Sequence, residues 1–485
     1  MLGAGILIIL VFVMVFGGIW PGSNHTVTRT ITLAEAGFSP QEIIITKGDI
    51  VMFRSTRGVP FWPASNLHPS HDIYPEFDPQ MPIDSDKEWS FRFDNVGKWQ
   101  FHDHLAPIYT GTIIVNDGNA VSLGSNTSAQ VSKDSCKKLS GGEQKQCWQD
   151  LVVSTLERKG LDGAFDQLAS LENSETSFPA ACHDITHKLG AAAYSLFAAG
   201  KDFHVSPKSA YCSFGFYHGF METLVRSEGR DLAKARQFCE YVDEQLSRDA
   251  PNAVFSCYHG IGHGLTDLHN QSEWGNERAM TAPALALCRQ VAQNEKQLLL
   301  CGTGVFDAIS LAYYNNSYGM VMKKDDPLWL CREQADDFKK SCYMDSMPAI
   351  LWLGKSTLAG AAPYIEKIAD ETYAVIAMRS LAGNSVRFTF RGASMNPDVS
   401  TCRKLKTYLR AACIQGLAQG VMEFGTSEIE YKGALDFCRS PVINEQERAT
   451  CMKSVFSYAS ERYSSAKVTE ICTSDGGIYK RYCAL

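Results

Sequence analysis

None of the 16 cysteines lies before Cys136, no lysine or arginine precedes Arg29, and no histidine follows His269. Each gap excludes something. Without basic residues the start of the chain lacks the charged opening of a cleavable secretory signal, and Gly17-Gly18-Ile19-Trp20-Pro21 is a poor small-residue cleavage site. Residues 2–20 carry no charge and are just long enough to cross a bilayer core as a helix. Residues 1–22 are therefore expected to form an uncleaved transmembrane anchor. Its orientation is not fixed by charge, because neither flank is basic. A formal net charge of -7 leaves no basic footprint for nucleic acid.

The cysteines are absent from the first quarter of the chain but regularly spaced afterwards. Cys136/Cys147, Cys239/Cys257, Cys288/Cys301, Cys331/Cys342, Cys402/Cys413, Cys438/Cys451 and Cys472/Cys483 form successive close pairs, leaving Cys182 and Cys212 as the eighth. No C-x2-C spacing occurs, which argues against thiolate zinc sites. The pattern reads as a disulfide framework, hence an oxidising compartment. The bulk of the chain is expected on the extracytoplasmic side of the cell membrane. At 485 residues it exceeds one ordinary core, so more than one domain is required.

Between residues 27 and 115 the apolar pattern has period two, broken by turn residues. Segments 27–33, 42–46, 50–53, 89–93, 99–102 and 111–115 read as strands, separated by turns such as Lys47-Gly48-Asp49. So many short strands in about ninety residues point to an all-β Greek-key sandwich.

The run Phe38-Ser39-Pro40, Ile43-Ile44-Ile45, Lys47-Gly48-Asp49 and Val51-Met52-Phe53, closed by Gly97-Lys98-Trp99-Gln100-Phe101-His102 and Gly111-Thr112-Ile113-Ile114-Val115, resembles the cupredoxin family over residues 29–117. In that family a copper ion lies between a mid-domain histidine and a Cys, His and Met on the loop before the last strand. The resemblance implies His68 or His71 as the first ligand, with His102 and His104 as others. Two departures matter. The domain has no cysteine, and Ile108-Tyr109 occupies the slot of an axial Met. A thiolate-ligated blue site is excluded. What remains is a non-blue set of His68, His71, His102 and His104, with Asp103 or Asp78 as a further donor. Copper is the expected ion, and zinc or iron would suit the same donors.

Residues 118–134 are polar and aperiodic, a linker. From residue 135 to 485 the chain repeats itself. Cys212-Ser213-Phe214-Gly215-Phe216-Tyr217-His218-Gly219-Phe220-Met221-Glu222 aligns without gaps on the eleven residues starting at Cys257 and on the eleven starting at Cys413. Cys301, with Gly304, Val305 and Asp307, is a weaker copy. Offsets of three, six, seven and ten from Cys fall on one helical arc. Each unit therefore contains an amphipathic helix starting near its second cysteine and cross-linked to the helix before it. An all-α, disulfide-rich helical-repeat domain follows, as an open solenoid or a closed toroid.

The histidines of this domain crowd between His183 and His269. His183 and His187 are four apart, as are His259 and His263, and His218/Glu222 and His263/Asp267 share that spacing. Residues at i and i+4 project from one helical face, as helices present ligands to a metal. A second candidate site thus comprises His183, His187, His218, Glu222, His259, His263 and Asp267.

The expected function is metal handling or redox by a membrane-anchored, copper-binding protein. The alternatives are a metal-dependent hydrolase acting through the helical cluster, or a metal-free adhesive scaffold whose repeats bind a protein partner.

Overall fold

The computed structural model describes residues 26–34, 37–66, 71, 74–117, 132–175, 177–200, 203–229, 232–268, 271–314, 317–389, 395–474 and 478–483. The anchor expected at 1–22, most of the linker and His68 lie outside the described residues. Among the described residues no helix is long and apolar enough to cross a membrane.

The N-terminal domain is built from two four-stranded sheets around one core. Strands β1 (Thr28–Ala34), β2 (Gly37–Ser39), β3 (Glu42–Thr46), β4 (Ile50–Ser55), β5 (Pro63–Ser65), β6 (Glu88–Arg92), β7 (Gly97–Asp103) and β8 (Ala106–Asn116) pair in the orders β2-β1-β4-β6 and β3-β8-β7-β5. All six strands expected from alternation are present. The short strands β2 and β5 carry too few residues to show a period. Alternate residues fill the interior as strand geometry demands: Ile31 and Leu33, Val51 and Phe53, Trp99 and Phe101, Ile113 and Val115 are all buried. Phe77 stacks on Phe91, meets Phe93 edge-on and packs at a tilt against Phe53 and Phe101 at the centre.

The second domain is helical throughout. Its helices are α1 (Lys133–Cys136), α2 (Gly141–Ser174), α3 (Cys182–Ala198), α4 (Gly215–Glu228), α5 (Ala233–Leu246), α6 (Asn252–Thr266), α7 (Glu277–Val291), α8 (Glu295–Tyr314) and α9 (Trp329–Glu333). They continue as α10 (Asp336–Asp345), α11 (Met347–Leu353), α12 (Leu358–Ile365), α13 (Glu371–Thr389), α14 (Asn396–Lys404), α15 (Thr407–Phe424), α16 (Glu430–Arg439), α17 (Glu445–Arg462) and α18 (Ser465–Thr473). Helix α2 breaks at Gly160, whose φ of 72° only glycine adopts readily.

One series of helices packs edge to edge: α3 on α4, α4 on α6, α6 on α8, α8 on α10, then α13, α15 and α17. The far end returns to the beginning. Ser213 Oγ donates to the Glu423 carbonyl (2.9 Å), Ser427 N–H donates to Glu172 (3.3 Å), Tyr211 bonds Glu428, and Arg462 lies over the Phe214 ring. The repeat is therefore a closed ring rather than an open solenoid. A closed ring leaves no terminal repeat with an uncovered apolar face.

All eight disulfides join the pairs expected from spacing. Cys239–Cys257 ties α5 to α6 and Cys288–Cys301 ties α7 to α8, so each unit is a cross-linked hairpin. One expectation needs correction. Cys257, Cys301, Cys413 and Cys451 sit in the second turn of their helices rather than at the start, because the disulfide grips each helix where it crosses its partner; only Cys212 precedes its helix.

Glycine sets the spacing of the inner helices. A Cβ on Gly219 would lie 1.9 Å from the His187 carbonyl oxygen, and one on Gly304 1.9 Å from that of His259. Any side chain there would drive α3 from α4 or α6 from α8.

The two domains touch. Tyr318 N–H donates to the Leu105 carbonyl (2.7 Å), Gln149 reaches Gln100 (3.4 Å), and Ala106 is buried in the helical core. Arg57 lies between the rings of Tyr109 and Trp274.

Candidate metal centres

The first cluster forms where β5 pairs with β7, which sets Ala64 opposite His102 and Pro63 opposite Asp103. A register irregularity at His102/Asp103 ends β7, and a tight turn through His104 and Leu105 leads to β8, with Asp103 opposite Ala106. Alternate residues point to opposite sides, so His102 and His104 face one way and Asp103 the other. His71 arrives from the loop after β5, held by Ser65: its Oγ lies 2.9 Å from the His71 carbonyl and accepts the Tyr74 N–H. His71, His102 and His104 are all buried and each offers a ring nitrogen, these atoms lying within 4.8 Å of one another.

Hydrogen bonds fix how the rings point. A carboxylate only accepts, so the contact of His71 Nδ1 with Asp78 Oδ2 (2.7 Å) puts the proton on Nδ1 and turns Nε2 inward. The Asn66 carbonyl oxygen does the same for His102 Nδ1 (3.0 Å). A histidine that ligates a metal commonly donates its other ring N–H to a carboxylate or carbonyl oxygen, as these two do. His71 Nε2 and His104 Nδ1 stand 2.7 Å apart and share a proton. Two ligands about 2.0 Å from one ion at the tetrahedral angle stand roughly 3.3 Å apart. An opening of about half an ångström, with the His104 proton passing to Nε2, admits an ion.

Neither carboxylate considered as a donor joins the triad. Asp78 sits behind His71, also taking the Trp62 indole N–H (2.7 Å); burial opposes its charge, but the bonds from His71, Gln80 and Trp62 hold its carboxyl down at about 2. Asp103 faces away, accepting from Trp62 N–H (2.7 Å) and Leu105 N–H (3.3 Å) and meeting Arg57 (3.4 Å). Complete burial pushes its carboxyl up to about 7 despite those bonds.

The second cluster lies on the inner helices. His183 and His187 on α3, His218 on α4, and His259 and His263 on α6 form two triads that share His218: His183/His187/His218 and His218/His259/His263. His183 Nε2 and His187 Nε2 are 3.1 Å apart, and His187 Nε2 and His218 Nδ1 3.2 Å. The His218 ring stacks on those of His259 and His263, with centroids 4.9 and 4.7 Å away.

The outer nitrogens are again occupied. His183 Nδ1 donates to the Cys212 carbonyl (2.9 Å), which leaves Nε2 facing the cluster. Thr303 spends its hydroxyl proton on the Leu300 carbonyl (2.6 Å), so it accepts from His259 Nδ1 (2.8 Å) and leaves His259 Nε2 bare, 3.6 Å from Asp307. His263 lies between two carboxylates, Nε2 at 2.9 Å from Asp307 and Nδ1 at 3.6 Å from Glu222.

Burial pulls His187 and His218 well below the ordinary histidine value and lowers His183 and His259. His263 is the exception. Burial disfavours its charge, but the Asp307 hydrogen bond and the charges of Asp307 and Glu222 hold it up at about 9. Glu222 is pushed up to about 7 by burial, and Asp345 well above the carboxylate range by burial and the Asp307 charge beside it.

Of the residues expected here, the five histidines converge with Glu222 at their edge. Asp267 does not join either triad; it caps α6 and accepts from the Tyr318 hydroxyl (3.2 Å). Asp307 and Asp345 were not among the expected ligands. Asp307 could have been found, since it stands six after Cys301 as His218 does after Cys212 and His263 after Cys257. Asp345 breaks the pattern by replacing the glycine three after a second cysteine. His68 lies outside the described residues.

No protein-family model matches the chain, and no curated protein matches it. Among solved structures, a reduced point mutant of amicyanin is similar at 14% identity, covering 20% of this chain and 86% of its own, with a TM-score of 0.17. A purple cupredoxin from Nitrosopumilus maritimus is similar at 16% identity, covering 18% of this chain and 98% of its own, with a TM-score of 0.15. Likeness at this level identifies neither ligands nor activity.

Proposed function

We propose that the protein binds a copper ion through His71, His102 and His104 and serves in copper handling or redox exchange outside the cell membrane, tethered by residues 1–22. The observation that carries this reading is the convergence of three buried imidazoles, two of them oriented by hydrogen bonds from Nδ1 to Asp78 and Asn66. With no thiolate available, the copper is of the non-blue type. Imidazole also suits zinc and iron, but Cu(II) stands highest in affinity among the divalent first-row ions. Eight disulfides support an oxidising compartment.

Copper(II) titration of the full chain tests this. The unaltered protein should bind one ion more than His71→Ala or His102→Ala, and that ion should show imidazole nitrogen couplings in its paramagnetic resonance spectrum. Equal copper in all three chains would overturn the assignment.

A further inference from the structure

We propose that the helical ring holds a second metal site, independent of the β-domain triad, that seats two transition-metal ions side by side. The first ion is taken by His183 Nε2, His187 Nε2 and His218 Nδ1. The second is taken by His259 Nε2, His263 and Asp307, with Glu222 at hand to complete it.

Proton counting at the first position favours an ion over a plain hydrogen-bond network. His187 Nε2 faces nitrogens on both sides, at 3.1 and 3.2 Å. One nitrogen with a single proton, or with a single lone pair, makes only one such bond well. His183 contributes nothing but a lone pair, because its proton is committed to the Cys212 carbonyl. An ion replaces this mismatch with three satisfied lone pairs. The separations already match the roughly 3.3 Å expected between ligands of one tetrahedral ion.

At the second position, two imidazoles and a carboxylate meet with the outer nitrogen of His259 anchored on Thr303. Asp307 and Glu222 keep 18% and 23% of their side-chain surface exposed, which leaves a path for an ion and for water.

The same ring shows what its interior looks like when no ion is needed. Glu423 is the repeat equivalent of Glu222, ten residues after its cysteine. It is met by the guanidinium of Arg462 (3.7 Å) and the hydroxyl of Tyr458, and Arg462 also binds Glu430 (2.7 Å). There a fixed cation balances the inward carboxylates. At the histidine cluster Asp307 and Glu222 flank His259 and His263, and among the described residues their ion pairs are with these histidines rather than with an arginine. Neighbouring ions of this kind polarise and deprotonate bound water, the chemistry of two-metal hydrolytic sites.

Zinc, which is redox-silent, separates this site from the first. The full chain carrying His71→Asn and His104→Asn, dialysed against zinc and then buffer, should retain two ions per chain. Adding His187→Gln should remove one, and adding His263→Gln with Asp307→Asn instead should remove the other, while far-ultraviolet dichroism stays unchanged. If a variant fails to fold, cobalt(II) in the chain with intact ring residues decides: visible d–d bands reaching full intensity only at two equivalents are expected. Zinc content indifferent to the ring substitutions, or a ring that saturates at one ion or none, would overturn the proposal.

Discussion

The two histidine clusters use the same donor on unlike supports. In the β domain the histidines come from a strand end, a tight turn and a loop, and their aim is set by side chains: Asp78 on His71, Asn66 on His102, Trp62 over the His104 ring. In the ring they come from three packed helices, and their aim is set by backbone spacing, through glycines at the crossings and a disulfide on each hairpin. A site on hydrogen-bonded loops answers to the loss of an outer partner. A site on packed helices answers to whatever moves the helices.

Reducing the disulfides should separate the two most sharply. Each closed loop of 11 to 30 residues constrains the unfolded chain by about 3 kcal/mol, and the β domain has none. Helical dichroism should melt tens of degrees earlier in reductant, while the near-ultraviolet signal of the Phe77 aromatic cluster persists. Simultaneous loss of both signals would break the comparison. Gly304→Ala should come next. It pushes a methyl group into the His259 carbonyl, at a cost of roughly 1–3 kcal/mol in denaturant unfolding, and should impair metal uptake by the ring but not by the β domain.

Asp78→Asn reverses the pattern. Losing the carboxylate behind His71 should weaken the β-domain site about 10- to 100-fold by calorimetric titration and leave the ring unchanged. The smallest effect concerns pH in the metal-free protein. His263, raised to about 9, contributes stability that is complete below its unfolded value of about 6.5 and lost as pH rises through 9. His187 and His218, held well below 6.5, contribute stability present above that value and lost as pH falls beneath it. Ring melting temperature should therefore fall on both sides of about pH 6.5, and Asp307→Asn should flatten the alkaline limb.

Much of this was legible in the sequence, for identifiable reasons. Alternation marked six strands because one face of each is buried, and it missed β2 and β5, three residues each. Regular cysteine spacing gave all eight disulfides, since close pairs close short hairpins. Repeat alignment brought His218 and His263 to one surface, because equivalent helices in a ring present equivalent positions. Closure was not legible: it rests on contacts such as Ser213 with Glu423, 210 residues apart, which no local pattern encodes. Nor was the division of labour among carboxylates. Spacing placed Asp103 and Asp267 near the ligands, but Asp103 turns to Arg57 and Asp267 to Tyr318.

Both proposed metal centres rest on converging imidazoles, buried in the β domain and, His263 apart, partly exposed in the ring. Crystals of the full chain soaked in copper, with anomalous difference maps at the copper edge, test both most directly. One peak enclosed by His71, His102 and His104 is expected, with density between α3, α4, α6 and α8 beside His218. Copper found only on surface residues, with both clusters hydrogen-bonded and metal-free, would contradict both.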